Sequence, residues 1–367
     1  MDLAKYRDRG LYDPSAPDAA EQRDLLEHLA ARGVTIDQML LAQSEDRLPF
    51  VLGDLLIRTG EPELTIEQVA ARASMTTATV ARLWRAAGLP EPEAGTRHFT
   101  EADASLLELM GFAISAFGEP AAVQLMRVMG SSMARVAEAG FAASIVNVRD
   151  GWITRAESLV AAADAAEMLG TMTQSAAQIF DVLFRRHIEA TARRWSTNPS
   201  DDPATLDAAI GFVDLAGFTA VSRELDTGAL GEAVNDLEEL AIAAALALDG
   251  RVVKMIGDEI MFMARDARSA CALALRLVDA IAAHPVLPAA RAAVAAGPVI
   301  ARDGDYFGPV VNLASRLVEQ ARAGELLVPL LTAAALDAEH VHVSSPISLS
   351  LKSFAEPVSA VSVTRRV

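Results

Sequence analysis

The sequence predicts an α+β protein in two parts: an all-helical N-terminal half, then a domain in which helices lie on a sheet. Three observations predict it. Within residues 1–195 apolar side chains recur at spacings of three and four, the period of an amphipathic helix. Residues 196–203, Ser-Thr-Asn-Pro-Ser-Asp-Asp-Pro, are polar, carry two prolines and show no period. Beyond them, apolar runs and amphipathic stretches follow in the order strand, helix, hairpin, helix, strand, which is that of helices laid on one sheet.

In the first half, Leu25, Leu26 and Leu29, and then Ile36 to Leu41, mark helical faces, as do Leu106, Leu107, Met110, Phe112 and Phe117. Breaks fall at Gly60-Glu61-Pro62, Gly88-Leu89-Pro90 and Gly118-Glu119-Pro120. Residues 64–100 contain a helix-turn-helix-like segment, with Ile66, Val69 and Ala70 before a turn at Ser74 and Val80, Leu83 and Trp84 after it. A last helix over 171–195 spaces Met172, Ala176, Ile179 and Leu183 by alternating fours and threes, a short seam that suits helix pairing. Residues 196–206 are the expected linker and 207–367 the second domain. There, 208–213 is a strand ending in Asp214, and 232–248 a helix with Val234, Leu237, Ala241, Ala244 and Leu248 on one face. Strands 252–256 and 260–263 flank Gly257-Asp258-Glu259, a hairpin. A helix over 267–282, a strand over 291–299, a turn at Asp303-Gly304 and a helix over 312–320 complete the pattern.

Composition narrows the classes. The 367 residues hold 49 acids against 32 bases, a net charge of −17. Both halves share it: residues 1–200 have 27 acids and 19 bases, residues 201–367 have 22 and 13. A chain acidic throughout repels a phosphate backbone, so nucleic acid is disfavoured as a partner. Around the helix-turn-helix-like segment, Arg72, Arg82 and Arg85 are nearly balanced by the nearby Glu61, Glu63, Glu67, Glu91 and Glu93, so no basic patch is expected. The single cysteine, Cys271, excludes an intrachain disulfide and a cysteine-rich zinc site; sharing a helical face with Leu275 and Val278, it is expected in the core. No apolar run approaches the ~20 residues of a spanning helix, and the first ten residues lack the apolar core of a signal peptide. A cytoplasmic protein with no membrane partner is expected.

Asp214 and Asp258 both stand at strand ends. If those strands are neighbours, two hard carboxylates converge at one sheet edge, a donor set suited to Mg²⁺ that completes its shell with substrate phosphates. Alone, the pair reads equally as two turn residues. The segment Leu215-Ala-Gly217-Phe218-Thr219 adds a glycine and successive N–H groups between a strand and a helix, a turn able to cradle a polyphosphate.

At this point three stretches together resemble the class III nucleotidyl cyclases. Phe212-Val-Asp214-Leu-Ala-Gly-Phe-Thr219 is similar to their first metal-binding motif, Lys254-Met-Ile-Gly-Asp258-Glu to their second, and Asp305-Tyr-Phe-Gly-Pro-Val-Val-Asn312-Leu-Ala-Ser-Arg316 to their third. The resemblance covers 207–367 and implies a ferredoxin-like, palm-type catalytic domain after a helical regulatory domain, as in actinobacterial members. It implies an adenylyl cyclase that converts ATP to 3′,5′-cyclic AMP and pyrophosphate with two Mg²⁺ (or Mn²⁺) per site. Asp214, Asp258 and the Leu215 carbonyl would hold the metals, Asn312 would orient the ribose, and Arg316 would oppose charge on the α-phosphate. The family places its sites between two catalytic domains, which implies a homodimer here.

Base choice follows from hydrogen-bond polarity. Adenine offers an acceptor at N1 and a donor amine at N6; Lys254 only donates and ionised Asp305 only accepts, so the pair matches adenine and mismatches guanine twice. Lys254 is one of three lysines, with Lys5 and Lys352, against 29 arginines, which suggests a site that wants a compact ammonium. Lys352 stands where relatives have a basic residue before a glycine, but Ser353 follows it here. Two other readings are a catalytically idle nucleotide-binding sensor and a nucleotide-controlled DNA-binding regulator. The input to residues 1–195 is open: protons through His98 or His187, or a small apolar ligand among Phe112, Phe117, Leu125, Met126 and Met129, for which core packing is the default expectation.

Overall fold

A computed structural model describes residues 2–93, 95–147, 158–197, 205–337 and 340–366. The chain divides into two compact units, Met1–His187 and Ile188–Val367. Most of the expected linker 196–206 lies outside the described residues. No helix among the described residues is long and apolar enough to cross a membrane.

The first unit is helical: α1 (Leu3–Asp8), α2 (Ala19–Ala31), α3 (Ile36–Ser44), α4 (Val51–Ile57), α5 (Ile66–Arg72), α6 (Thr77–Ala86), α7 (Glu101–Phe117), α8 (Glu119–Asn147) and α9 (Leu159–Thr197), which carries residues of both units. Thr35, Thr65 and Thr100 start α3, α5 and α7 with capping boxes, each side chain accepting from the N–H three residues on. Two cores form. One gathers Leu25, Leu26 and Leu29 of α2 with Met39, Leu52 and Ala163. The other gathers Val69, Val80, Leu83, Phe99, Leu107 and Met126, with the Trp84 ring edge-on to Phe99 at 4.9 Å. The expected helix-turn-helix-like segment is α5 and α6, and its arginines are neutralised: Arg72 binds Glu101 and Glu108, Arg82 binds Glu119, and Arg85 approaches Glu91.

α9 begins well before residue 171, the start that the apolar seam suggested, because its first turns are docked. A Cβ on Gly53 would stand 2.4 Å from the Ala166 carbonyl oxygen, so α4 and α9 meet backbone to backbone. Arg32, at the C-terminal end of α2, ties the same stretch through Asp164 and Glu167. Further on, Met172, Ile179 and Leu183 are more than half exposed. Core packing is the default expectation for Phe112, Phe117, Leu125, Met126 and Met129, and the structure corrects it: only Met126 of these is buried, and Phe112 and Phe117 are about three-quarters exposed (74% and 75%). Helical periodicity identifies an apolar face but not what covers it.

The second unit holds β1 (Leu206–Leu215), α10 (Phe218–Glu224), α11 (Thr227–Ala247), β2 (Arg251–Ile256), β3 (Glu259–Ala264), α12 (Ala267–Ala282), β4 (Ala290–Arg302), β5 (Asp305–Phe307), α13 (Pro309–Val318), β6 (Leu326–Pro329), α14 (Leu330–Ala333), β7 (Val341–Val343), β8 (Ile347–Leu349) and β9 (Val358–Arg365). The sheet order is β2-β3-β1-β4-β6-β9-β7. Its first four strands, with α11 and α12 as crossovers, have ferredoxin-like topology, so the fold is α+β as expected. Alternation sorts β1 between two cores. Ala209 and Val213 face α11 and α12, whereas Ala208, Ile210 and Phe212 face α13 and the β4–β5 hairpin. Cys271 is buried in the first of these cores, and burial pushes its thiol up to about 12. Gly211 lies against the tip of the Phe262 ring, where a Cβ would come within 2.0 Å of Cζ. Gly211→Ala should therefore overpack this face and lower the unfolding free energy by about 1–3 kcal/mol, read as a lower urea midpoint. An unchanged midpoint would mean that the ring moves freely.

Candidate active site

β1 is central and antiparallel to both neighbours, with Asp214 opposite Glu259 of β3 on one side and Arg291 of β4 on the other. The β2–β3 turn thus sets Asp258 beside the end of β1, and the two aspartates share one sheet edge. Asp214 continues the alternation of Phe212 and so faces α13. Its carboxylate accepts from Arg291 Nε at 2.7 Å and lies 2.6 Å from a second guanidinium nitrogen. Arg291 also donates to the Glu319 carbonyl at 3.1 Å, at the end of α13. Negative charge is dense here. Glu259, half-buried, has its carboxyl pushed up to about 7, first by burial and then by Asp214, Glu319 and Asp258, against the opposing pull of Arg291.

Such an edge suits a divalent cation. Its donors are hard oxygens whose mutual repulsion positive charge would relieve; the described residues form no group of three or more His, Cys, Asp or Glu able to hold a metal by themselves, so substrate oxygens would have to complete the shell. Two carboxylates with room for substrate oxygens are the donor set that Mg²⁺ ordinarily uses. Leu215 follows with its side chain in the core. Gly217 then turns the chain at φ +83°, and the N–H groups of Gly217, Phe218 and Thr219 find no acceptor among the described residues.

Lys254 reaches the site through a defect in β2. Val252 pairs with Phe262 and Lys254 with Met261, so Val253 is an extra residue, a β-bulge. In a regular strand Lys254 would fall opposite Ile260 and point at α11 and α12. The bulge returns it to the face of Met261 and Phe212. Across that face comes the β4–β5 hairpin, released by Gly297 at φ +148° and reversed at Asp303 and Gly304, both with positive φ. It delivers Asp305, whose Oδ2 is ion-paired with Lys254 Nζ and whose Oδ1 accepts from the Tyr306 N–H at 2.8 Å. Asn312 and Arg316 are one turn apart on α13. The Asn312 side chain is exposed without a hydrogen bond among the described residues, and Arg316 is paired with Glu319. Lys352 is exposed between β8 and β9.

Two basic residues absent from the motifs enter the same surface. Arg291 could have been found as the one charge inside the buried run 290–295, an anomaly that demands a partner. Arg251, whose guanidinium donates to the Gly304 carbonyl at 2.7 Å, left no such signal.

A ferredoxin-like sheet with paired carboxylates at one edge and a Lys–Asp pair on the adjoining face defines the catalytic domain of a nucleotidyl cyclase. Residues 202–358 match the model of the adenylate and guanylate cyclase catalytic domain, and residues 9–185 that of the adenylate cyclase regulatory domain. An adenylate cyclase of Streptomyces coelicolor is 33% identical over 291 residues, 77% of this chain and 74% of that one. A pH-sensitive adenylate cyclase of Mycobacterium tuberculosis is 26% identical over 324 residues, 84% of this chain and 78% of that one. The crystal structure of the adenylyl cyclase CyaB from P. aeruginosa is 25% identical with a TM-score of 0.40, covering 44% of this chain and 97% of that one. The chain belongs to the class III adenylate cyclases of actinobacterial type, in which a regulatory domain precedes the catalytic one.

The Asp214–Arg291 pair is mostly buried, with side-chain exposures of 19% and 29%. Removing one partner strands the other. Allowing for that residual exposure, Arg291→Met should lower the unfolding free energy of the metal-free protein by about 1–3 kcal/mol. Adding Asp214→Asn should recover most of the loss. Strictly additive effects in urea titrations would show that the two side chains are uncoupled.

Proposed function

We propose that this chain cyclises ATP to 3′,5′-cyclic AMP and pyrophosphate at sites shared between two identical copies, under the control of residues 1–195. The observation that carries the choice of ATP is the pairing of Lys254 with Asp305, 51 residues apart in sequence and side by side on one face. A donor and an acceptor so placed are complementary to adenine N1 and N6.

The reaction demands positioning and charge stabilisation: the ribose 3′-oxygen attacks the α-phosphorus in line, the bond to the pyrophosphate oxygen breaks, and the 3′-hydroxyl proton leaves. Asp214, Asp258 and the Leu215 carbonyl would hold two Mg²⁺ (or Mn²⁺), which when bound supply positive charge to the triphosphate and acidify the hydroxyl. The free N–H groups of Gly217, Phe218 and Thr219 bind phosphate oxygens. Asn312 orients the ribose. Arg316 exchanges Glu319 for the α-phosphate as charge grows there.

Two features support a second copy. The α9 seam of Met172, Ile179 and Leu183 is more than half exposed, and Asn312 stands exposed without a hydrogen bond among the described residues. Isologous pairing makes two equivalent sites from one kind of chain, metal residues from one copy and base and ribose residues from the other. Residues 1–195 act through α9, since in-line attack tolerates little displacement. The input is a proton or a small apolar ligand. One relative is named for pH sensitivity; here His98 packs against Trp84 and Phe99 at 6.1 and 5.4 Å, whereas His187 is exposed. The exposed Phe112, Phe117, Leu125 and Met129 offer the apolar alternative.

Purified protein with MgATP or MnATP should yield cyclic AMP and pyrophosphate; no product with either metal would refute the reading. Lys254→Glu with Asp305→Ala should cut ATP turnover by at least ~10²-fold. Asp214→Ala and Asn312→Ala chains, each inactive, should recover about one quarter of wild-type activity after random mixing, because half the dimers then carry one intact site; verified heterodimers without activity would exclude a shared site. Full-length protein and residues 207–367, both dimeric, should differ in specific activity between about pH 5.5 and 8 if protons are the input. Superimposable profiles, with and without apolar additives, would remove the regulatory role.

A further inference from the structure

We infer that Arg251 is a positioning residue for adenine recognition, clamping the β4–β5 hairpin so that Asp305 stands beside Lys254. The inference rests on the base-reading roles proposed for those two residues. Arg251 opens β2 opposite Met263, on the face that also carries Met261 and Phe212. Residues three apart in a regular strand point to opposite faces. The bulge at Val253 cancels that, and Arg251 and Lys254 emerge together.

From there the guanidinium makes two contacts with the hairpin. It donates to the Gly304 carbonyl at 2.7 Å, at the tip of the turn, and its carbon lies 5.6 Å from the centroid of the Tyr306 ring. These bracket Asp305 on both sides. Tyr306 is itself part of the core beneath α13, only 8% exposed, and its N–H fixes Asp305 Oδ1. The carboxylate is thus oriented by a backbone whose neighbours on either side are held by one arginine.

The arrangement carries a penalty that argues for a purpose. Arg251 Nε is buried with no hydrogen-bond partner among the described residues, and an unsatisfied donor in a charged group is costly. An aliphatic side chain would cover Tyr306 without that cost. Only a planar fork holds a carbonyl and an aromatic face at once, and an ammonium retains part of this. The proposed role is therefore to set where the acceptor for the N6 amine stands, without contact with the substrate.

The test uses the full chain and two substrates: ATP, and purine riboside 5′-triphosphate, which keeps the N1 acceptor and lacks the N6 amine. Wild type should favour ATP in kcat/KM by at least ~10-fold, and Asp305→Ala should abolish that preference. Arg251→Met should reduce it at least ~5-fold, chiefly through a raised KM for ATP with kcat within ~3-fold of wild type. Arg251→Lys should restore part of it, and Arg251→Met should add nothing to Asp305→Ala. If Arg251→Met does not fold, Arg251→Lys and Arg251→Gln should reduce the preference in that order. A folded Arg251 variant that slows both substrates by the same factor, with the preference intact, would overturn the inference and leave Arg251 a stabilising residue alone. An Asp305→Ala enzyme that keeps the wild-type preference would overturn the base-reading assignment itself, and this inference with it.

Discussion

The catalytic unit depends on the register of β1. That strand is buried on both faces and paired on both sides, so it cannot slide without turning every side chain to the wrong core. Holding it in place puts Asp214 level with Glu259 and Arg291, and brings the β2–β3 turn with Asp258 to the same edge. Backbone pairing and two apolar cores hold four carboxylates near one another, an arrangement that their own repulsion opposes. Arg291 offsets part of it and at the same time fastens the end of α13, which bears Asn312 and Arg316. The proposed metal residues and the proposed ribose and phosphate residues therefore rest on a common scaffold, in which α13 packs on β1 and β4 and Arg291 ties its end to Asp214.

On the opposite side of the economy stands the first unit, which buries two modest cores and leaves a long apolar surface open. α9 shows the division within one helix. Its beginning is pinned by the close approach to Gly53 and by Arg32, and its later turns present Met172, Ile179 and Leu183 to solvent. Such a helix is fixed at its start and carries an exposed apolar seam further on, the mechanical arrangement that the proposed control by residues 1–195 requires.

Much of this was legible in the sequence because the informative features were local. The helix over 267–282 coincides with α12, the turn at 257–259 with the β2–β3 hairpin, and the helix-turn-helix-like segment with α5 and α6. Asp214 and Asp258 stand at one sheet edge because β1 and β3 are neighbours, and Lys254 pairs with Asp305. What escaped was set by long-range pairing. β6, β7 and β8 are only three or four residues long, and β6 finds its place parallel to β4 only through the assembled sheet. Arg291 meets Asp214 across 77 residues and Arg251 meets Gly304 across 53. Neither distance has a signature in a linear pattern. The exposure of Phe112 and Phe117 escaped for a related reason: periodicity states that a face is apolar, and only the neighbours decide whether it is covered.

In the free chain Lys254 and Asp305 satisfy each other. Each group is therefore already matched before any ligand arrives. Under the base-reading role proposed for the pair, an incoming base would compete with an internal contact and gain only by replacing both halves of it at once. Adenine would do so; a base that suits one group and repels the other would leave the pair better off closed. Recognition would then behave as a threshold, with partial matches rejected by the pair's own reversion to its internal contact.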